Sequence, residues 1–153
     1  MSADAFIDTN VIVYAFDTSA PGKQAIARQI LERDGLVTSA QVLGELYVTL
    51  TRKIPARLPT GGAQQVIEKL RARPSVDIST DLVSAAIQTS IRFQLSFWDA
   101  LIIEAAVAGG CTTLLTEDLN DGDTINGVRI VNPFTAAGGK PLRRGWTTEN
   151  SPP

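Results

Sequence analysis

Ala5-Phe6-Ile7-Asp8-Thr9-Asn10 decides how the rest of the chain is read. Three apolar residues run directly into an acid and two more capping residues. Such a run reads as a short buried strand ending where Asp8 leaves the core. Asp8-Thr9-Asn10 then turns the chain into a short helix over 11–16. Working outward, the unit repeats. Residues 21–34 place Ala25, Ile26, Ile30 and Leu31 on one helical stripe, with Pro21 suited to its start and Gly35 to its stop. Leu36-Val37-Thr38 is a second strand, and Ser39 caps a helix over 40–52 that turns Leu43, Leu46, Tyr47 and Leu50 inward. Residues 53–62, with Pro55, Pro59, Gly61 and Gly62, form a loop.

A helix over 63–72 leads to a third strand at 75–78. Two further helices follow, over 81–93 and from Ser96 to Ala108, and the second stops at Gly109-Gly110. The first turns Leu82, Ala85, Ala86 and Ile91 inward. A fourth strand at 113–116, a polar loop at 120–127 and a fifth strand at 128–131 complete the pattern. Short apolar strands alternating with helices predict an α/β domain with a parallel sheet between helices. The domain is expected to span 1–134. Residues 135–153 hold Gly138, Gly139, Pro141, Pro152 and Pro153 with little apolar content, and are expected to form a mobile tail.

Composition narrows the chemistry. The chain has 153 residues, one domain's worth, and 44% are hydrophobic, enough for a real core. Fourteen Lys and Arg against 16 Asp and Glu leave a net charge of −2, which excludes a strongly basic nucleic-acid coat but not a local basic patch. A single cysteine, Cys111, forbids an intramolecular disulfide and a thiolate zinc cluster. No histidine is present, so a Ser-His-Asp triad, a His–metal site and a Cys–His pair are all excluded. The first residues carry Asp4 and Asp8 and no basic region, unlike a signal peptide. The most apolar stretch, 97–108, is interrupted by Asp99 and Glu104 and is too short to span a bilayer. A cytoplasmic protein with no membrane partner is expected.

Carboxylates are therefore the candidate reactive groups. In open α/β sheets ligands bind beyond the carboxyl ends of the strands, where Asp8 and Glu117-Asp118 fall. Asp8 also reads as an ordinary helix cap. Asp99 shares a helical face with Ile102, Ile103 and Ala106, a costly place for a carboxylate unless something pairs with it. Ser96-Phe97-Trp98-Asp99 also fits a capping box, and the two readings are compatible. Glu45 alone is an ordinary helix glutamate, and 117–123 alone is a solvated acidic loop. If Asp8, Glu45, Asp99 and Asp118 converge, each pair at ~4 Å repels by roughly 4 kcal/mol at an effective dielectric near 20. Such a cluster stays ionised only beside a cation. Without His or Cys, an all-oxygen site selects Mg²⁺ or Mn²⁺, and such sites serve phosphodiester cleavage.

Taken in order, Phe6-Ile7-Asp8-Thr9-Asn10, a helix carrying Glu45, Ser96-Phe97-Trp98-Asp99-Ala100 and Leu114-Leu115-Thr116-Glu117-Asp118-Leu119-Asn120-Asp121-Gly122 resemble the PIN-domain ribonucleases, above all the VapC toxins of toxin–antitoxin pairs. The resemblance covers about 5–134. It implies a single PIN-like domain with a five-stranded parallel sheet between helices and an acidic cluster at the carboxyl edge. It implies an Mg²⁺- or Mn²⁺-dependent endoribonuclease, an antitoxin partner whose segment enters the active-site groove, and a homodimer. Carried over by position, Asp8, Glu45, Asp99 and Asp118 are the catalytic acids, with Asp8 and Asp99 holding the metal directly. Asp121 lies close to the fourth acid, and Asp118 is favoured over it. Thr9, Asn10, Thr116 and Asp121 would orient the carboxylates and water. Arg52, Lys53, Arg57, Lys69, Arg71 and Arg73 are candidate RNA contacts, though most read as ordinary surface charge. Two alternatives stay open. One is a non-catalytic PIN-like module that binds RNA or protein. The other is an aspartate-nucleophile phosphatase, which normally wants a second Asp where this chain has Asn10.

Overall fold

Phe6 and Ile7 point to opposite faces of the first strand, and both are buried. A strand that is apolar on both faces belongs in the middle of a sheet covered on both sides. In the computed structural model, which describes residues 4–135, that is where it sits. The elements run β1 (Ala5–Ile7), α1 (Thr9–Tyr14), α2 (Pro21–Leu31), β2 (Leu36–Ser39), α3 (Ala40–Arg52), α4 (Thr60–Arg71), β3 (Ser75–Val76), α5 (Thr80–Phe93), α6 (Phe97–Ala108), β4 (Thr113–Leu115), β5 (Thr124–Ile125) and β6 (Val128–Val131). The sheet order is β3-β2-β1-β4-β6-β5.

β1 is parallel to β2 on one side and to β4 on the other, with Ile7 opposite Leu115. The chain first steps one way, through β2 to β3, and later returns to the other side of β1. The boundary between β1 and β4 is thus the switch point, where crevices open in α/β sheets. The Asp8 N–H donates to the Leu115 carbonyl at 3.0 Å, so Asp8 and Thr116 leave the sheet side by side. α6 is apolar nearly all round, and Ala100 to Ile103, Ala105 and Ala106 are buried, as expected of a helix inside the core. It turns into β4 within a few residues, so it runs antiparallel to that strand. Its first turn therefore lies at the carboxyl edge.

The α/β architecture agrees with expectation, but the sheet has six strands among the described residues and is mostly, not wholly, parallel. The segment 120–127, expected to be a loop, contains β5, which pairs antiparallel with β6. Asn126 and Gly127 have φ of 50° and 77°, the left-handed pair that a tight hairpin turn requires. Three inward stripes are also rotated. α3 buries Val42, Leu46, Thr49 and Leu50 and leaves Tyr47 exposed. α5 buries Leu82, Ala86 and Thr89, while Ile91 is 74% exposed. α2 buries Lys23, Ala27 and Ile30 and exposes Ala25. In each helix a polar residue occupies an inward position that hydrophobicity alone assigns outward. α4 starts at Thr60, ahead of the expected 63, and takes Gly61 and Gly62 into its first turn. Of the expected tail, 136–153 lies outside the described residues. Among the described residues, no helix is long and apolar enough to cross a membrane.

Candidate active site

Asp8 is fully buried and does two things. It is the N-cap of α1, its Oδ1 accepting from the Thr9 N–H at 2.7 Å. Its Oδ2 accepts the Thr116 hydroxyl at 2.9 Å. The same Thr116 oxygen accepts from the Asp118 N–H at 3.0 Å and from the Asn10 side-chain amide at 3.3 Å. One hydroxyl thus uses its single proton and two lone pairs to join β1 to the turn after β4. Asn10 closes the ring. Its amide nitrogen reaches Asp8 Oδ2 at 3.5 Å, and its oxygen accepts from the Glu117 N–H at 3.3 Å. Both carboxylate oxygens of Asp118 are shielded from solvent.

Asp99 is 9% exposed in the first turn of α6. The Ser96 hydroxyl caps the helix by accepting from the Asp99 N–H at 3.1 Å. The helix N-terminus carries partial positive charge that suits an anion there. Glu45 is half-buried in the second turn of α3, which starts directly from β2 at the same edge of the sheet. At 1.5 Å per residue it stands about 9 Å along the axis from Ser39. Asp8 and Asp118 are thus bonded to a common hydroxyl, Asp99 opens a helix at the same edge, and Glu45 stands further out. Asp121 is exposed, and its Oδ1 accepts from the Asn132 N–H at 2.9 Å, a loop closure.

Among the described residues, no three or more His, Cys, Asp or Glu side chains are drawn together tightly enough to hold a metal ion. Magnesium does not need such a cage, since it commonly keeps several waters and takes one or two carboxylates. The donors here are all hard oxygens. The Thr9 hydroxyl beside Asp8 is also buried with no hydrogen-bond partner among the described residues, as suits a wet polar site. In the chemistry of its donors the site therefore suits a hard cation such as Mg²⁺ or Mn²⁺.

Sequence reasoning missed the cation next to this network. Lys23 reaches in from α2, and its Nζ lies 2.9 Å from Glu117 Oε2 and 3.2 Å from the Tyr14 hydroxyl. The lysine and glutamate side chains are 6% and 2% exposed. The signal was present: Lys23 lies four and seven residues before Ala27 and Ile30, on the buried stripe. Two of the suggested RNA contacts are engaged elsewhere. Arg73 donates to the carbonyls of Leu31 and Arg33 at the end of α2, and Arg71 pairs with Glu68 on an exposed surface.

Residues 5–120 match the family described as PIN domain. No curated protein matches the chain. Among solved structures, a toxin–antitoxin complex from Klebsiella pneumoniae superposes with a TM-score of 0.65 at 23% identity, covering 85% of this chain and 98% of that one. VapC20 of Mycobacterium tuberculosis, a toxin that cleaves the sarcin–ricin loop, gives 0.60 at 20% identity, covering 82% and 99%. The DNA-bound VapBC of Salmonella typhimurium gives 0.61 at 19% identity, covering 86% and 99%. At these identities the likeness is one of fold. The family match spans most of the chain, from β1 through the turn that carries Asp118, and on it the chain belongs to the PIN-domain family.

Proposed function

We propose that this PIN domain is a metal-dependent endoribonuclease and the toxin of a toxin–antitoxin pair. The observation that carries the reading is the Thr116 hydroxyl, which ties Asp8 to the backbone of Asp118 at the sheet's switch point. Asp8 and Asp99 would hold Mg²⁺ or Mn²⁺ directly, and Asp118 and Glu45 would bind it through water or hold a second ion. An ion held there would supply an activated water and neutralise charge on the phosphate. Thr116 and Asn10 fix the direction of the Asp8 carboxylate, and the Thr9 N–H restrains its other oxygen. With no histidine in the chain, proton movement falls to water and the outer carboxylates.

Asn10 argues against the phosphatase alternative. An aspartate nucleophile needs an acid–base partner there, whereas this amide is buried and bonded to Asp8 and Thr116. The solved neighbours include toxin–antitoxin complexes, which supports an antitoxin as partner; a cytoplasmic location and a homodimeric toxin are part of the same proposal. An Arg or Lys of that antitoxin placed near Asp8 and Asp99 would inhibit by competing for the carboxylates.

The test is incubation of total RNA with purified protein and Mn²⁺, alone and with excess EDTA, followed by mapping of fragment ends. Discrete fragments that vanish with EDTA support the proposal. RNA bound but left intact would support the non-catalytic module, and cleavage indifferent to EDTA would exclude a metal mechanism.

A further inference from the structure

We propose that the buried Lys23–Glu117 ion pair is a positioning device for the acidic edge. It fixes the turn between Thr116 and Asp118 and, through Asn10, the direction of the Asp8 carboxylate. The proposal rests on the metal-nuclease reading above, and concerns two residues outside the four acids.

Glu117 is flanked in sequence by Thr116 and Asp118, both members of the network. Its side chain is held by Lys23 at 2.9 Å, and its N–H donates to Asn10 Oδ1 at 3.3 Å. Asn10 and Thr116 both donate to Asp8 Oδ2, and the Thr116 hydroxyl accepts from the N–H of Asp118. A shift of Glu117 therefore moves Asp118 directly and Asp8 through one intervening side chain.

The cation is itself held in place. Its Nζ donates to the Tyr14 hydroxyl and lies 4.8 Å from the centroid of that ring and 5.8 Å from the centroid of Phe134. The two rings meet edge to face at 4.9 Å. Lys23 thus joins α2, the end of α1, the turn after β4 and the segment after β6 at one buried point.

Stability alone is a poor reason for such a pair. Removing two charges from water offsets much of their attraction, and apolar residues of similar volume often serve as well. What apolar side chains do not supply is a fixed direction for Glu117. Partners that orient metal-binding carboxylates are the groups whose loss lowers metal affinity while the fold survives.

The experiment compares the parental chain with the double variant Lys23→Met/Glu117→Met, and with Glu117→Gln, which keeps the shape and removes the charge. Melting temperature with and without Mn²⁺, Mn²⁺ affinity by paramagnetic resonance of the free ion, and RNA cleavage are read on each preparation. The expected result is a double variant that melts within a few degrees of the parent without metal. Its Mn²⁺ dissociation constant is raised ~10–100-fold, its kcat falls, and its KM for RNA stays near the parental value. Glu117→Gln changes in the same direction and carries the comparison if the double variant fails to fold. A folded variant with parental Mn²⁺ affinity and kcat would overturn the positioning role while leaving the nuclease reading intact. A parental protein that neither binds Mn²⁺ nor cleaves RNA would overturn both.

Discussion

At Asp99 the backbone bond and the proposed role of the carboxylate can be tested separately. The cap bond runs from the Asp99 N–H to the Ser96 hydroxyl, so changing the Asp99 side chain leaves it in place. Asp99→Asn is expected to cost at most about 1 kcal/mol of stability. Loss of one metal-clamping charge worth ~3–4 kcal/mol in the transition state should slow cleavage by roughly 10²–10³ at saturating Mn²⁺. Ser96→Ala should do the reverse, lowering stability by about 1 kcal/mol with cleavage within a few-fold of the parent. Melting temperature and cleavage rate on the same two preparations check both, and an Asp99→Asn protein with parental activity would reduce Asp99 to a residue of the helix start. Cys111 gives a second expectation. Burial, with the charge of Asp4 adding to it, pushes its thiol up to about 11. A thiol whose folded pKa exceeds its unfolded one adds stability that is complete below pH ~8.5 and is lost as pH rises toward 11. The native protein should therefore react slowly with a maleimide at pH 7.5 and quickly in denaturant. Fast labelling of the native chain would contradict the burial. Asp8 and Asp99 were legible because each stands where an apolar run demands a reason for a charge. Lys23 was not, because a long amphipathic side chain on a helix reads as solvated until its partner is known, and Glu117 lies 94 residues away.

At the scale of elements, punctuation decided what could be read. Ser39, Ser96, Pro21 and Gly109 mark helix boundaries chemically, and α3 and α6 run as those residues predict. The alternation of β and α units made the layered sheet readable, because strands buried on both faces must be short and continuously apolar. β5 escaped because two residues carry no period. Its real signature was Asn126-Gly127, whose left-handed φ values make the hairpin. The turn is also latched, since the Asn126 amide donates to Glu104 at 2.8 Å and to Thr89 at 3.0 Å. Gly127→Ala forces a Cβ into a left-handed conformation and is expected to cost about 1–2 kcal/mol. Because the hairpin lies at the far edge of the sheet from β1, cleavage at a temperature well below melting should be unchanged. Denaturant unfolding and a cleavage assay on this variant check the pair of outcomes.

Across the whole molecule, the last described segment is part of the core. Phe134 is 2% exposed and packs on Tyr14 beside Lys23. A chain ended after Phe134 is therefore expected to fold and to retain cleavage within a few-fold. Phe134→Ala should cost about 3–5 kcal/mol, as for a buried aromatic, and loosen the seat of Lys23. Thermal melts of both proteins check this. An inactive but folded truncation would place part of 135–153 in the site. The acids at the carboxyl edge are proposed to hold a divalent ion for RNA cleavage, and Asp8 lies at the centre of their hydrogen-bond network. Asp8→Asn removes the charge and keeps a single oxygen, which can either cap α1 or accept from Thr116 but not both, so folding is checked first by thermal melt. Mn²⁺ binding and Mn²⁺-dependent RNA cleavage are measured on the same folded preparation, beside the parent. Mn²⁺ affinity is expected to fall at least ~10-fold and cleavage by roughly 10²–10³. Parental Mn²⁺ affinity together with an undiminished cleavage rate would contradict it.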